Sequence, residues 1–146
     1  MVRDEFDEFV NKLQKEIIEN ELKEFNETII DLYHSPRNWG KPPDEEITKS
    51  HAYEGPCGDT MQFFLKIKNN KIEKANFITD GCGATVACGS QTTMLIEGRS
   101  IDFAENLKEK DIDMALNGLP EDHKHCAELA IRTLRRLIEK YKYRTF

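Results

Sequence analysis

Met61-Gln62-Phe63-Phe64-Leu65-Lys66-Ile67-Lys68-Asn69-Asn70-Lys71-Ile72-Glu73-Lys74-Ala75-Asn76-Phe77-Ile78-Thr79 is the stretch that decides the fold. Met61, Phe63, Leu65 and Ile67 alternate with Gln62, Phe64, Lys66 and Lys68, the period-two pattern of a strand with one greasy face. Asn69-Asn70 makes a turn and residues 72–79 return, so the segment predicts a β-hairpin. Two strands alone are marginal in water, and a third is expected around Ile47 to Glu54.

The residues after the hairpin follow a helical period. Helices are expected over Thr85–Glu97, ended by Gly98, and over Ser100–Leu107, then a short turn from Asp111 to Leu116. A last helix runs from Asp122 to about Tyr143, with Ala127, Ala130, Ile131, Leu134, Leu137, Ile138 and Tyr141 on one face. Before the hairpin, Asp4 to His34 holds no Gly or Pro and keeps helical spacing through Phe6, Phe9, Val10, Leu13, Ile17, Ile18, Leu22, Phe25, Ile29 and Leu32. A phase slip near Ile17 and Ile18 allows one bent helix or two shorter ones. Pro36 stops the helical run, and residues 36–50 read as a loop. Strands followed by helices define an α+β class: a small antiparallel three-stranded sheet with helices packed on one face, plus a long N-terminal helical extension. The extension is taken as residues 1–25 and the domain as 26–146.

A chain of 146 residues is long enough to bury a core without a metal or disulfide to hold it. It carries 38% hydrophobic and 33% charged residues, and no membrane span or secretory segment is read from it, so a soluble cytoplasmic protein is expected. Lys plus Arg number 21 against 27 Asp plus Glu, which gives no basic excess pointing to nucleic acid. The charge is uneven. Residues 1–25 hold eight acids and four bases, whereas residues 131–146 hold six bases and one acid. The basic face from Arg132 to Arg144 is a candidate docking surface, and the apolar stripe of the extension is expected to pack, with self-association favoured over packing on its own domain.

Four cysteines at 57, 82, 88 and 126, spread over half the chain, point to metal or sulfur chemistry rather than a disulfide framework. Cys57 lies in Gly55-Pro56-Cys57-Gly58-Asp59 before the first hairpin strand, and Cys82 in Asp80-Gly81-Cys82-Gly83-Ala84 between strand and helix. Cys126 follows His125 in the first turn of the last helix. Such element ends expose side chains while rigid neighbours fix them. Helix N-terminal dipoles favour the thiolate at Cys126 and near Cys82, and three soft thiolates suit zinc or iron–sulfur ligation. Asp59 or His125 would supply a harder fourth donor and leave one corner weakly held. Cys88 falls inside a helix and reads as core filler, while His34, His51 and His123 read as surface or capping residues.

Four segments together make the chain resemble the IscU family, also seen as the N-terminal domain of NifU: His34-Ser35-Pro36-Arg37-Asn38-Trp39-Gly40, the two glycine-flanked cysteine segments, and Leu119-Pro120 through His125-Cys126-Ala127-Glu128-Leu129-Ala130. The likeness runs from about Asn26 to Tyr141. It implies a scaffold, not an enzyme, on which a labile [2Fe-2S] cluster is built from iron and desulfurase-derived sulfur and then passed to apo-proteins. It implies Cys57, Cys82 and Cys126 as ligands, Asp59 and His125 as alternating or auxiliary ones, and Cys126 as persulfide acceptor. Zinc commonly occupies the same site in the family. The implied partners are a cysteine desulfurase, an iron or electron donor and apo iron–sulfur proteins, with no nucleic acid and no membrane. The family's Leu-Pro-Pro-Val-Lys stretch, bound by an Hsp70-type chaperone, is replaced here by Leu119-Pro120-Glu121-Asp122-His123, and the two acids count against that partner. The competing function is a zinc-binding sulfur-acceptor protein that transfers persulfide without retaining a cluster.

Overall fold

The computed structural model describes residues 2–143, without the side chains of residues 2, 3 and 18–23. Ile18, Leu22 and Arg144, used in the sequence reading, therefore fall outside the described groups. Helices α1 (Val2–Glu24) and α2 (Glu27–His34) lead into three strands, β1 (Lys49–Glu54), β2 (Thr60–Lys68) and β3 (Lys71–Thr79). Helices α3 (Gly83–Ile96), α4 (Ile101–Glu105), α5 (Glu109–Ala115) and α6 (Lys124–Lys142) follow. The strands form an antiparallel meander in the order β1-β2-β3, with Phe63 opposite Phe77 and Tyr53 opposite Met61. Asn69 and Asn70 both take positive φ, the left-handed pair that a tight hairpin turn requires. The expected α+β class, three-stranded sheet and extension are all present.

The greasy face of β2 is where the core begins. Met61, Phe63, Leu65 and Ile67 are buried under α3 and α6, together with Ile72, Ala75 and Phe77 of β3. α6 closes that face because its apolar residues recur every three or four positions. Ala127, Ala130, Ile131, Leu134, Leu137 and Ile138 are all buried, with Tyr141 packed at the margin. α3 is buried on nearly every side and is built of small residues, so it can lie close to its neighbours. Its hydroxyls remain satisfied: Thr92 donates to the Cys88 carbonyl and Thr93 to that of Ser90. A Cβ on Gly83 would fall 1.6 Å from the Tyr33 ring, so only glycine lets α2 and α3 meet there.

Two boundaries differ from the sequence reading. Of the stretch from 111 to 116, read as a turn, residues 111–115 belong to helix α5 and Leu116 is its C-cap; the helix is started by a Lys108 N–H donating to Asp111 Oδ2 and held by buried Ile112. The N-terminal helical run breaks at Phe25-Asn26 rather than near Ile17 and Ile18. Asn26 makes that break, because its Oδ1 accepts from the Ile29 N–H as the N-cap of α2 while its Nδ2 donates to the carbonyls of Leu116, Asn117 and Gly118. α1 beyond it leaves Phe6 and Phe9 62% exposed and Leu13 and Ile17 45% exposed. Of the two packings expected for this stripe, the one on its own domain is not seen at these residues, and the favoured one, against a second copy, remains a proposal.

Asn26 thus ties the start of the domain to the loop preceding α6. Asn26→Ala removes the cap and three carbonyl contacts and should cost about 1–3 kcal/mol. Urea denaturation will read this as a lower midpoint at unchanged slope, and an unchanged midpoint would deny Asn26 that role.

Candidate metal and cluster site

Three element ends meet at one pole of the domain. The β1–β2 turn carries Cys57 and Asp59: the Gly58 N–H donates to Gly55 O, that of Gly55 donates to Asp59 O, and Gly58 has φ +92°. Cys82 is the N-cap of α3, and Cys126 is the third residue of α6. Cys57 and Cys82 are exposed, whereas Cys126 has no exposed surface. Thr85 stands between two of the sulfurs, its hydroxyl 3.3 Å from Cys126 Sγ and 3.5 Å from Cys82 Sγ.

Two donor groups contain the cysteines, each with ligand atoms within 4.8 Å of one another: Cys82, His123 and Cys126, and Cys57, Asp59 and His125; a third, of Glu24, Asp122 and His123, shares its histidine with the first. A 3.7 Å contact between Cys126 Sγ and His125 Nε2 joins the two cysteine groups. All five residues read from the sequence as site residues therefore lie together. Cys88 is fully buried, and burial pushes its thiol well up, so it is core filler as read. A cavity of about 120 Å³ lined by Tyr53, Pro56, Cys57, His125 and Leu129 opens beside the second group.

Electrostatics divides the two close thiols. Cys82 is pulled down to about 4, chiefly by a hydrogen bond from Cys126, with Thr85 and the backbone N–H groups of Ala84 and Thr85 adding to it. Cys126 is pushed up, because it holds the proton it lends to Cys82 and is buried. The helix-dipole expectation of a thiolate at Cys126 is corrected: the first-turn position is outweighed by burial and by the neighbouring anion. These shifts favour an exposed thiolate at Cys82 beside a buried, protonated thiol at Cys126.

Two residues were missed in the sequence. His123, read as a surface or capping residue, lies in the first group, and Glu24 at the end of α1 bonds it. Only the His-x-His-Cys run at 123–126 hinted at the former, and nothing local could have shown the latter. The basic face of α6 is also less free than its sequence suggested. Arg132 pairs with Glu128, Arg135 donates to Leu107 O, and Arg136 lies over the Tyr53 ring.

A small α+β domain with cysteine sulfurs at three element ends and carboxylate and imidazole donors beside them has the donor set of a metal-binding protein. The chain belongs to the family described as the NifU-like N-terminal domain, whose model matches residues 24–146. It is 38% identical over 120 residues to the iron-sulfur cluster assembly scaffold protein IscU of Aquifex aeolicus, covering 81% of this chain and 76% of that one. It is 36% identical over 121 residues to the protein of the same name in Escherichia coli K12, covering 81% of this chain and 94% of that one. In fold it resembles the N-terminal part of a nitrogen-fixing NifU-like protein from Brucella abortus, with a TM-score of 0.62 at 14% identity over 81% and 94% of the two chains. No helix among the described residues is long and apolar enough to cross a membrane.

Because Cys82 is already deprotonated above about pH 4, its alkylation by iodoacetamide should be nearly flat from pH 5.5 to 8. Peptide mapping should find Cys88 and Cys126 protected. A rate at Cys82 rising about tenfold per pH unit across that range, as for a free thiol below its ordinary pKa, would contradict the paired state.

Proposed function

We propose that this chain is a scaffold on which an iron–sulfur cluster is assembled and from which it is handed to acceptor proteins. The convergence of Cys57, Cys82 and Cys126 with Asp59 and His125 carries the reading. The names of its relatives support it over persulfide transfer without a retained cluster, the competing reading. Residues 26–146 form the scaffold domain and residues 1–25 an extension. The product is a [2Fe-2S] cluster, a binuclear cargo that suits two donor groups side by side. Zinc fits the same donors, since thiolate, imidazole and carboxylate are all zinc ligands.

The residues divide the work by softness and access. Thiolates hold iron firmly, and the carboxylate of Asp59 is a harder, weaker partner that keeps one edge exchangeable. Sulfur arrives as the terminal atom of a persulfide on a cysteine desulfurase. A scaffold thiolate attacks that atom, the new S–S bond forms as the old one breaks, and the donor leaves as its thiolate. Cys126 is the acceptor by family resemblance. In the resting pair the nucleophilic form is on Cys82, and transfer of the proton to Cys82 or to His125 moves it to Cys126. Reducing each transferred sulfur to sulfide takes two electrons from a separate donor. No step turns over a substrate on the chain itself, so its role is that of a carrier rather than an enzyme.

The extension is assigned to a second copy of the chain. Its exposed stripe needs an apolar partner, and Glu5 and Lys12 share one flank of that stripe, seven residues apart. In an antiparallel pair each flank meets itself, so Glu5 of one helix faces Lys12 of the other and the helix dipoles oppose. A parallel pair would crowd the acids Asp4, Glu5, Asp7 and Glu8 near the helix start together. Phe9→Glu in the full chain should lower the mass measured by light scattering while the far-ultraviolet circular dichroism stays helical. A monomeric parent, or an unchanged oligomer, would defeat the assignment.

The scaffold reading is tested by anaerobic reconstitution with iron, cysteine and a cysteine desulfurase. Iron and sulfide should be retained in near-stoichiometric amounts by the parent and by Cys88→Ala, and lost on Cys57→Ala, Cys82→Ala or Cys126→Ala. Persulfide formation without retained iron in the parent would favour the competing reading. Loss on Cys88→Ala as complete as on Cys82→Ala would overturn the ligand set.

A further inference from the structure

We propose that His123 is a metal ligand of this site through its Nδ1, and that Glu24 is the positioning residue that presents it; the inference rests on the scaffold reading. Three observations converge on the ring. Its Nδ1 is buried and has no hydrogen-bond partner, an unfavourable state unless something else binds there. Its Nε2–H donates to Glu24 Oε1 at 3.0 Å. A single proton on Nε2 leaves the lone pair on Nδ1. A carboxylate on the far nitrogen is the arrangement that orients metal-binding histidines and makes them more basic.

The third observation is where Nδ1 lies. One ring nitrogen of His123 forms a group with Cys82 Sγ and Cys126 Sγ, all within 4.8 Å of one another, and with Nε2 held by Glu24 the nitrogen free to serve there is Nδ1. Metal bonds of about 2.0–2.3 Å would draw such atoms together by roughly an ångström, within the reach of side-chain adjustment. The ring is held from another side by Phe25, centroid to centroid 5.0 Å, and its side chain is 17% exposed. A capping or surface histidine would keep its second nitrogen in water. Here Nε2 is taken by Glu24, and the second nitrogen is buried without a hydrogen-bond partner.

His123 gives each end of the site three donors of its own, since His125 belongs with Cys57 and Asp59. It also gives the last turn of α1 a part in metal binding, because Glu24 closes that helix. Asp122 lies 3.9 Å from the same Nε2 and is 80% exposed, so it is the weaker partner.

The test uses zinc on the reduced, full-length protein. Long-range proton–nitrogen NMR of the histidine rings should move His123 Nδ1 to the metal-bound range while Nε2 stays protonated. Competition with a chromogenic chelator should show zinc affinity about 10- to 100-fold weaker in His123→Ala and in Glu24→Gln. The spectra of the unsubstituted protein decide the point whether or not the variants fold. Zinc bound by the cysteines with the His123 resonances unmoved would overturn this inference and leave the scaffold reading standing. A protein that binds no zinc at all would likewise overturn this inference, while the scaffold reading stands or falls separately on the retention of iron and sulfide.

Discussion

The burial of Cys126 against the N-terminus of α3 is the constraint on which the site depends. Because α6 must lay its apolar face across the sheet and against α3, its first turn is carried inward, and Cys126 ends with no exposed surface. There Thr85 and Cys82 are its polar neighbours. A buried thiol that can reach an exposed one shares its proton rather than ionising, and the exposed sulfur becomes the anion. The chemistry of the pair is thus set by packing.

That packing has local requirements at each of the three element ends. Gly83 lets α2 approach α3, and Gly58 turns the chain after Cys57 with a backbone that other residues rarely adopt. In α3, Thr92 and Thr93 donate to carbonyls of their own helix and Ser90 accepts from the Arg37 N–H, whereas the Thr85 hydroxyl faces the sulfurs. Asn26 anchors the loop that leads to His123. Cys82 and Cys126 therefore stand at the starts of packed helices, whereas Cys57 and Asp59 come from an exposed turn and His125 from an exposed first-turn position. A packed side and an exposed side suit a centre that must both hold and release.

Much of this was legible in the sequence because it rests on short-range pattern. The hairpin, its Asn69-Asn70 turn, the third strand and the buried face of α6 follow from periods of two and 3.6, which record which side of an element meets the core. The five site residues stood out because glycines flank two of the cysteines and a helix start carries the third. What could not be read depends on partners distant in the chain. Asn26 breaks the helical run because it reaches carbonyls some ninety residues away, so the phase of the apolar residues nearby misplaced the break. The proton's place on Cys126 rather than Cys82 follows from relative burial, which no local pattern records. His123 draws its meaning from Glu24 and Cys82, neither of which is near it in sequence.

Cluster transfer tests the central claim most directly. The full-length protein, reconstituted and freed of excess iron and sulfide, is mixed with an apo-ferredoxin of the [2Fe-2S] type and a chelator strong enough to trap free iron, and circular dichroism follows the acceptor's cluster. A site built to hold and release predicts that the acceptor spectrum grows as the scaffold's own visible absorption falls, with the chelator taking little. A cluster that stays on the scaffold, or iron that appears only on the chelator, would contradict it.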